Sequence, residues 1–459
     1  MPVQLKYDDD VTEINSFIHR NKKVPETPHR QQKLLHKWES SKDRLHAATR
    51  TDPEVVEAWQ LERVSLLVDY AFRTHPFYNK LYREAGFETG DIVSWDDYKA
   101  LPTISKQDII SNSELFKNAN LSPTLAECYS STTSGSSGNV LTSRFDTAMI
   151  HQDTMQVMRY LDQMLGGQRR PYDLFYKIYV VSPPFSSLMG KYPQFTLSND
   201  CPPELALRHL KQVRPAILGG FATYLERLCD LVTDPSALGI RAINTNSEAS
   251  TEAQRRRISQ ILGAPVSDEY SSVEMGLIAT QCCEGRYHIV EDNVRLDVVN
   301  SDTDGMGEVV LTSLINGFMP FIRYRQGDVV KVGSRLAPCR CGSRFRYLES
   351  FLGRTDQQLT SRTIGNVPSD LIMSLYDRVL LVPEANLAGF QIVQKKVDEI
   401  LITVVPAIPA LGVNTALVQA FSAGLKELFR DADLSINIEE RREMPPERSH
   451  KRRLIKCEI

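Results

Sequence analysis

The run Tyr129-Ser130-Ser131-Thr132-Thr133-Ser134-Gly135-Ser136-Ser137-Gly138 packs seven Ser and Thr hydroxyls and two glycines into ten residues. Glycines free backbone N–H groups to turn toward a ligand, and hydroxyls add short donors, so such a loop can cradle the oxygens of a polyphosphate. A flexible Ser/Gly linker is the other reading of the same composition. A second stretch, Asp268-Glu269-Tyr270-Ser271-Ser272-Val273-Glu274, offers a tyrosine able to stack on a base and, in Glu274, a carboxylate able to hold Mg2+ between phosphates. In a third, Tyr324-Arg325-Gln326-Gly327-Asp328, an aspartate beside a turn glycine is suited to accept two ribose hydroxyls. A fourth, Arg448-Ser449-His450-Lys451-Arg452-Arg453, supplies a cation near the C-terminus. Each alone also matches ordinary solvated surface; jointly they read as four parts of one nucleotide site.

Of eight cysteines, Cys282, Cys283, Cys339 and Cys341 fall into two close pairs, while Cys128, Cys201, Cys229 and Cys457 are scattered and read as structural. With His288, either Cys282 or Cys283 and the Cys339-Arg340-Cys341-Gly342 knuckle supply four soft ligands suited to tetrahedral Zn2+. Four protein ligands leave no open position, so such a metal is structural. Buried thiols and a surface histidine are the alternative.

These residues need elements to hold them. At 459 residues, with 42% hydrophobic and 24% charged residues and a formal net charge of -3, the chain fits an ordinary globular protein with more than one core, and nothing points to nucleic acid or a membrane surface. Met1 to Asp10 lacks the apolar segment of a signal peptide and no run reaches the length of a membrane span, so the expectation is a cytoplasmic protein. Residues 1–50, polar and rich in Lys, Arg and His, read as a loosely attached N-terminal extension. Leu61, Val64, Val68 and Ala71 then mark one helical stripe, stopped at His75-Pro76.

Strands are expected over Leu174 to Val181 and Pro215 to Leu218, with helices over Glu204 to Val213 and Ala222 to Val232. A strand, helix, strand unit follows from Gly239 to Tyr270, and this alternation predicts parallel α/β layers. Asp268 falls at a strand end, where ligands sit in such sheets. After Glu291 the texture changes to hairpins over 294–299, 307–312, 321–325 and 329–332, read as a separate β-rich subdomain. The last hundred residues read as a small α+β domain. The expected division is 1–50, 51–353 and 354–459, with a hinge near Asp356.

In order and spacing these segments resemble the adenylate-forming superfamily of acyl- and aryl-coenzyme A synthetases, peptide-synthetase adenylation domains and luciferases. The likeness is greatest to its phenylacetate-coenzyme A ligase-like branch, and it runs from about Leu61 to the C-terminus. His75-Pro76-Phe77-Tyr78, Leu101-Pro102 and Lys106-Gln107-Asp108 resemble the opening of those ligases. Ser134, Gly135, Ser136, Ser137 and Gly138 match the family's phosphate loop, with Asn139 in place of its lysine. Ser247-Glu248-Ala249 is similar to the segment that lies on the adenine, and Asp268 through Glu274 to the tyrosine motif, with Ser271 for its glycine and Val273 for its hydroxyl residue.

The resemblance further implies that Asp328 and Arg354 bind the ribose, that Asp356 is the pivot of a mobile C-terminal domain, and that Lys451 is the catalytic lysine, with Lys456 as the fallback. It makes Cys282 the first zinc ligand, with His288, Cys339 and Cys341. Phe221, Ala222, Tyr224, Val273, Met275 and Gly276 would line the acid pocket, with Phe221 and Tyr224 equally readable as core. The implied reaction is ATP- and Mg2+-dependent activation of a carboxylic acid, by resemblance an aromatic one, to an acyl-adenylate, then transfer to coenzyme A. Arg362-Thr363 replaces the Arg-Gly that approaches the thiol in the family, so an amine or a carrier protein stays open as acceptor. A nucleotide-binding relative without chemistry is the rival reading, motivated by Asn139 and Val273. Homodimers are common in the branch.

Overall fold

The computed structural model describes residues 27–116, 129–132, 141–180, 185–335, 338–354, 358–444 and 454–459. The predicted loop Ser134 to Gly138, the pivot Asp356 and Lys451 lie outside them.

The first described element contradicts the reading of a loose extension. Helix α1 (Pro28–Ala48) starts at Thr27, whose hydroxyl accepts from the Arg30 N–H. It buries Leu34 and Trp38 against Met155, Met158 and Tyr192, and its polar side is held by a Lys191–Glu39 ion pair at 2.7 Å and by His46 against Asp162 at 2.7 Å. The apolar stripe is narrow, and its partners lie more than a hundred residues downstream, which is why local periodicity did not reveal it. The next helix, α2 (Pro53–Thr74), buries Val64, Val68 and Ala71 as their spacing predicts, and it closes at His75.

The body is one extended sheet. Its parallel part comprises β1 (Phe175–Tyr179), β2 (Lys191–Ser198), β3 (Ile217–Gly220), β4 (Ala242–Thr245) and β5 (Val266–Ser272), hydrogen-bonded in the order β2-β1-β3-β4-β5. Helices α3 (Thr147–Met164), α4 (Pro203–Val213), α5 (Ala222–Cys229) and α6 (Glu252–Leu262) connect and cover it. The β-rich region is not a separate subdomain. Antiparallel β6 (Gly276–Gln281) pairs with β5, and β7 (Tyr287–Ile289) carries the ladder on to the strands that follow. These are β8 (Val294–Val299), β9 (Met306–Ser313), β10 (Tyr324–Val332) and β11 (Tyr347–Arg354), in the path β8-β9-β10-β11-β7-β6-β5.

The two short strands expected over 321–325 and 329–332 are one strand, β10. Gly327, with φ of 86°, sits inside it and bends the ladder without ending it. A core of Val64, Tyr78, Met275, Val309 and Phe321 fills this half, while Tyr176, Leu218, Leu225 and Ile258 belong to the core under the parallel half.

The C-terminal unit has its own core. Strands β12 (Leu387–Lys396), β13 (Glu399–Pro406), β14 (Ser435–Glu440) and β15 (Ile455–Cys457) pair in the order β14-β13-β12-β15. Helices α7 (Ser369–Val379) and α8 (Thr415–Phe429) bury Ile372, Phe421, Leu425 and Phe429 with the sheet residues Phe390, Ile392 and Ile402. Thr251 at the start of α6 donates to Asp377 of α7 at 2.9 Å, so the small domain touches the large one beside the carboxyl ends of the parallel strands.

Candidate active site and metal centre

Strand β5 does two things because its side chains alternate. On one face, Asp268 accepts from Thr245 Oγ1 at 2.5 Å and from the Tyr287 hydroxyl at 2.7 Å, and burial pushes its carboxyl up. Asp268 thus ties β5 to β4 and β7. Tyr270, on the same face, donates to Asp328 Oδ2 at 2.5 Å and packs edge-on against Phe351 at 5.0 Å. Gln326 Nε2 donates both to the Tyr270 hydroxyl at 3.0 Å and to Asp328 at 2.7 Å. Asp328 is 5% exposed, and the ladder sets Arg354 of β11 directly across from it. Two motifs nearly sixty residues apart therefore meet: Tyr270 and Asp328 share one corner. Gln326 is the residue sequence reasoning passed over there, and its only signal was its place inside the Tyr324 to Asp328 motif. Beyond the end of β5, buried Glu274 accepts from the Tyr324 hydroxyl at 3.3 Å.

The loop after β4 is held open in an unusual backbone. Ser247 has φ of 67°, and its hydroxyl bonds to that of Tyr179. Glu248 accepts from the Thr223 N–H at 2.6 Å and so caps the start of α5, and Ala249 is exposed beside it. The predicted adenine segment is thereby anchored across the ends of β1, β3 and β4.

On the other face of β5, Glu269 points away from Asp328. It lines a cavity of about 210 Å3 at the carboxyl ends of the parallel strands, with Tyr179, Gln194, Asn244 and Asn246. Lys177 belongs to the same wall, and Val157, Leu161 and Phe175 form its apolar side. Burial, with the neighbouring Asp268 and Asp153 charges adding to it, pushes the Glu269 carboxyl up to about 7. Gly219 and Gly220 complete the wall, and a side chain at Gly219 would meet the Phe175 ring at 2.7 Å.

The expected pocket residues fall differently. Phe221 is buried and stacks on Tyr179 at 5.3 Å, Ala222 is buried in the same core, and Tyr224 is buried with its hydroxyl on the Cys201 carbonyl at 2.7 Å. None of the three lines the cavity, and Phe221 backs its Tyr179. Met275 is fully buried in the other core, and Val273 is half-buried. Gly276, with φ of 69°, stands so close to Asp153 that a side chain there would collide with its carboxylate.

At the far end of the antiparallel half, the side chains of Cys282, His288, Cys339 and Cys341 converge, their ligand atoms all within 4.8 Å of one another. Cys282 Sγ lies 3.8 Å from Cys339 Sγ, and Cys341 Sγ lies 3.4 Å from His288 Nε2. A tetrahedral ion with Zn–S bonds of ~2.3 Å spaces its sulfurs by ~3.8 Å, so the donor set fits Zn2+ in kind and in size. His288 Nδ1 is 3.0 Å from the Phe345 carbonyl, an arrangement that leaves Nε2 for the cluster. Exposed Cys283 is not among these donors. The cluster joins the end of β6, strand β7 and the loop that feeds β11.

In the small domain, Arg362 pairs with Asp431 at 3.0 Å, and the Thr363 N–H bonds to Ser361. Lys456 lies in β15, paired across from Val393.

No family profile matches the chain. Curated relatives do: a phenylacetate-coenzyme A ligase of Thermus thermophilus is 25% identical over 364 residues, covering 75% of this chain and 79% of that protein. One from Escherichia coli K12 is 25% identical over 350 residues, covering 70% and 78%. Among solved structures, a 2-hydroxyisobutyryl-CoA ligase in its postadenylation state superposes with a TM-score of 0.68 over 89% of this chain and 90% of that one, at 18% identity. An anthranilate CoA ligase bound to anthranoyl-AMP gives 0.50 over 78% and 74%, at 15% identity. The chain is thus a distant homologue of phenylacetate-coenzyme A ligases and has the adenylate-forming fold.

Proposed function

We propose that this chain, a distant homologue of the phenylacetate-coenzyme A ligases, activates a carboxylic acid with ATP and passes the acyl group to coenzyme A. The observation that carries the reading is the meeting of Tyr270 and Asp328 on one face of β5 while a small cavity lies on the other. A nucleotide held on the first face brings its α-phosphate to the strand end shared with an acid lying in the second.

In the first half-reaction a carboxylate oxygen attacks the α-phosphorus, the bond to the β-phosphate oxygen breaks, and pyrophosphate leaves with that electron pair. Asp328 accepts the ribose hydroxyls, with Arg354 as a second ribose contact, and the Tyr270 ring lies on the base. The loop Ser134 to Gly138 binds the phosphate oxygens, and the segment Ser247 to Ala249 lies along the adenine. Lys451 places its cation where negative charge grows, which is electrostatic catalysis. In the second half-reaction the coenzyme A thiolate attacks the acyl carbonyl, AMP leaves, and rotation of the small domain about Asp356 withdraws Lys451.

Glu274 is the carboxylate suited to hold Mg2+, a hard cation that neutralises phosphate charge when bound. Zn2+, held by Cys282, His288, Cys339 and Cys341, would be structural and would pin β11 just before the hinge.

A coupled pyrophosphate-release assay over a panel of small carboxylic acids, with and without coenzyme A, tests the reading. Turnover that rises with coenzyme A and falls about 10²- to 10³-fold in Lys451→Ala supports it. Pyrophosphate release indifferent to coenzyme A moves the acceptor to an amine or a carrier protein. Silence across the panel in protein that binds ATP refutes the enzymatic reading.

A further inference from the structure

The cavity on the Glu269 face is apolar on one side and carries a linked set of polar side chains on the other. Asn246 Nδ2 donates to Asn244 Oδ1 at 3.1 Å, while Asn244 Nδ2 reaches the Tyr160 hydroxyl at 3.0 Å and Glu269 at 3.5 Å. Asn244 Nδ2 is thus shared between Glu269 and Tyr160, whose hydroxyl donates onward to Ser267 at 3.0 Å. At the start of this relay, Asn246 Oδ1 is buried and has no hydrogen-bond partner. A buried acceptor left unmade costs free energy that a ligand donor recovers. At the relay's end Glu269 is a second acceptor, its Oε2 facing Asn244 Nδ2 at 3.5 Å and its Oε1 taking the Ser271 hydroxyl at 3.3 Å. Asn246 and Glu269, both in the wall and both bonded to Asn244, are the groups that a ligand donor would complement.

The carboxylate of the substrate is not that donor. An ionised carboxylate has no proton to donate, and the cation of this wall is Lys177. Adenylation requires the acid's carboxylate to lie toward the nucleotide, which leaves its remaining substituent toward Glu269 and Asn246. Size narrows the choice further. A volume of about 210 Å3 lies below the ~300–1,000 Å3 range of ordinary ligand pockets, and Gly219 shows that the Phe175 wall is already in contact. Val157, Leu161 and Phe175 give the body of the ligand one apolar side.

Resting on the adenylation reading above, we propose that Glu269 and Asn246 select a small carboxylic acid bearing a hydroxyl or amino donor, in preference to its unsubstituted counterpart. A site built to accept a hydrogen bond rejects an analogue lacking the donor, because the site's own buried groups are then left unpaired.

Matched pairs test this: benzoate against 2-aminobenzoate and 3-hydroxybenzoate, and butyrate against 3-hydroxybutyrate. In the wild type the donor-bearing member of at least one pair should show kcat/KM higher by about 10-fold or more in pyrophosphate release. Glu269→Leu should erase or invert that preference while leaving the KM for ATP unchanged, and Asn246→Ala should weaken it. Equal or reversed preference in an active wild type overturns the proposal.

Binding of the same acids by calorimetry separates this proposal from the reading beneath it. If no acid turns over, tighter binding of the donor-bearing acid by wild type than by Glu269→Leu still supports the pocket assignment. Equal binding to both proteins refutes it, whatever becomes of the adenylation reading.

Discussion

Replacing Glu269 by glutamine keeps the shape of the side chain and removes its charge, and the consequence depends on pH in a way that a packing defect does not. In the folded protein the carboxyl is pushed from 4.5 up to about 7. At 1.36 kcal/mol per unit that is about 3 kcal/mol of linkage between folding and protonation. The side chain is only half-buried, because the cavity beside it admits water, and solvent screening lowers the expectation to about 1–2 kcal/mol. A raised carboxyl holds its proton more tightly folded than unfolded. Its stabilising contribution is therefore complete below about pH 4.5 and is lost as pH rises through about 7. Glutamine has no proton to lose. Compared with wild type, Glu269→Gln should be close to neutral at pH 5 and more stable at pH 8, with its Tm higher by about 2–4 °C at the alkaline end. Thermal unfolding of ligand-free protein at pH 5, 6, 7 and 8 reads this directly. A Tm gap that stays constant across that range, or a wild type that gains on the variant toward pH 8, would mean that the carboxylate is charged and satisfied at rest, and would refute the electrostatic description of the cavity.

Asp328→Ala should weaken ATP binding by about 10- to 100-fold, the worth of hydrogen bonds to a charged acceptor, with Tyr270→Phe costing less; titration calorimetry checks both, and unchanged affinity moves the ribose elsewhere. Metal analysis should find about one zinc per chain, lost in Cys339→Ser and retained in Cys283→Ser. Trp38→Ala should cost about 3–5 kcal/mol locally, so trypsin should cut within α1, at Lys33, Lys37 or Arg44, far sooner than in wild type. Equal digestion rates would mean that α1 is dispensable to the body.

What was legible in the chain was local. The helix Pro203–Val213 and the strand Val294–Val299 form where their periods place them, because one apolar stripe or one alternation determines each. The chemistry of Cys339-Arg340-Cys341 pointed to a metal, and spacing alone left Cys282 and Cys283 open; the resemblance favoured Cys282, which is the one that reaches the cluster. Helix α1 escaped because its partners Met155 and Tyr192 are distant in sequence. The continuity of the sheet escaped for the same reason: β11 is placed by pairing with β7 and β10, a long-range choice that no window of residues contains. Gly327 read as a turn because a glycine beside an aspartate usually is one, whereas here the ladder with β9 and β11 outweighs it.

The assignment of Glu269 to the nucleotide, natural when the motif is read as a string, changes once the strand is given two faces. Asp268 bonds to Thr245 and Tyr270 to Asp328, while Glu269 and Ser271 bond to each other and Asn244 approaches Glu269. In β4 the parity is complementary: Thr245 meets the Asp268 side, and Asn244 and Asn246 meet the cavity. On the proposed reading, a single seven-residue strand would serve nucleotide and acid with alternate residues. A substitution at 269 can therefore change the acid without moving the Tyr270 to Asp328 contact, whereas a one-residue slip of β5 against β4 would exchange the two faces and abolish both sites at once. Asp268, buried and bonded to both neighbouring strands, is the residue that holds this register.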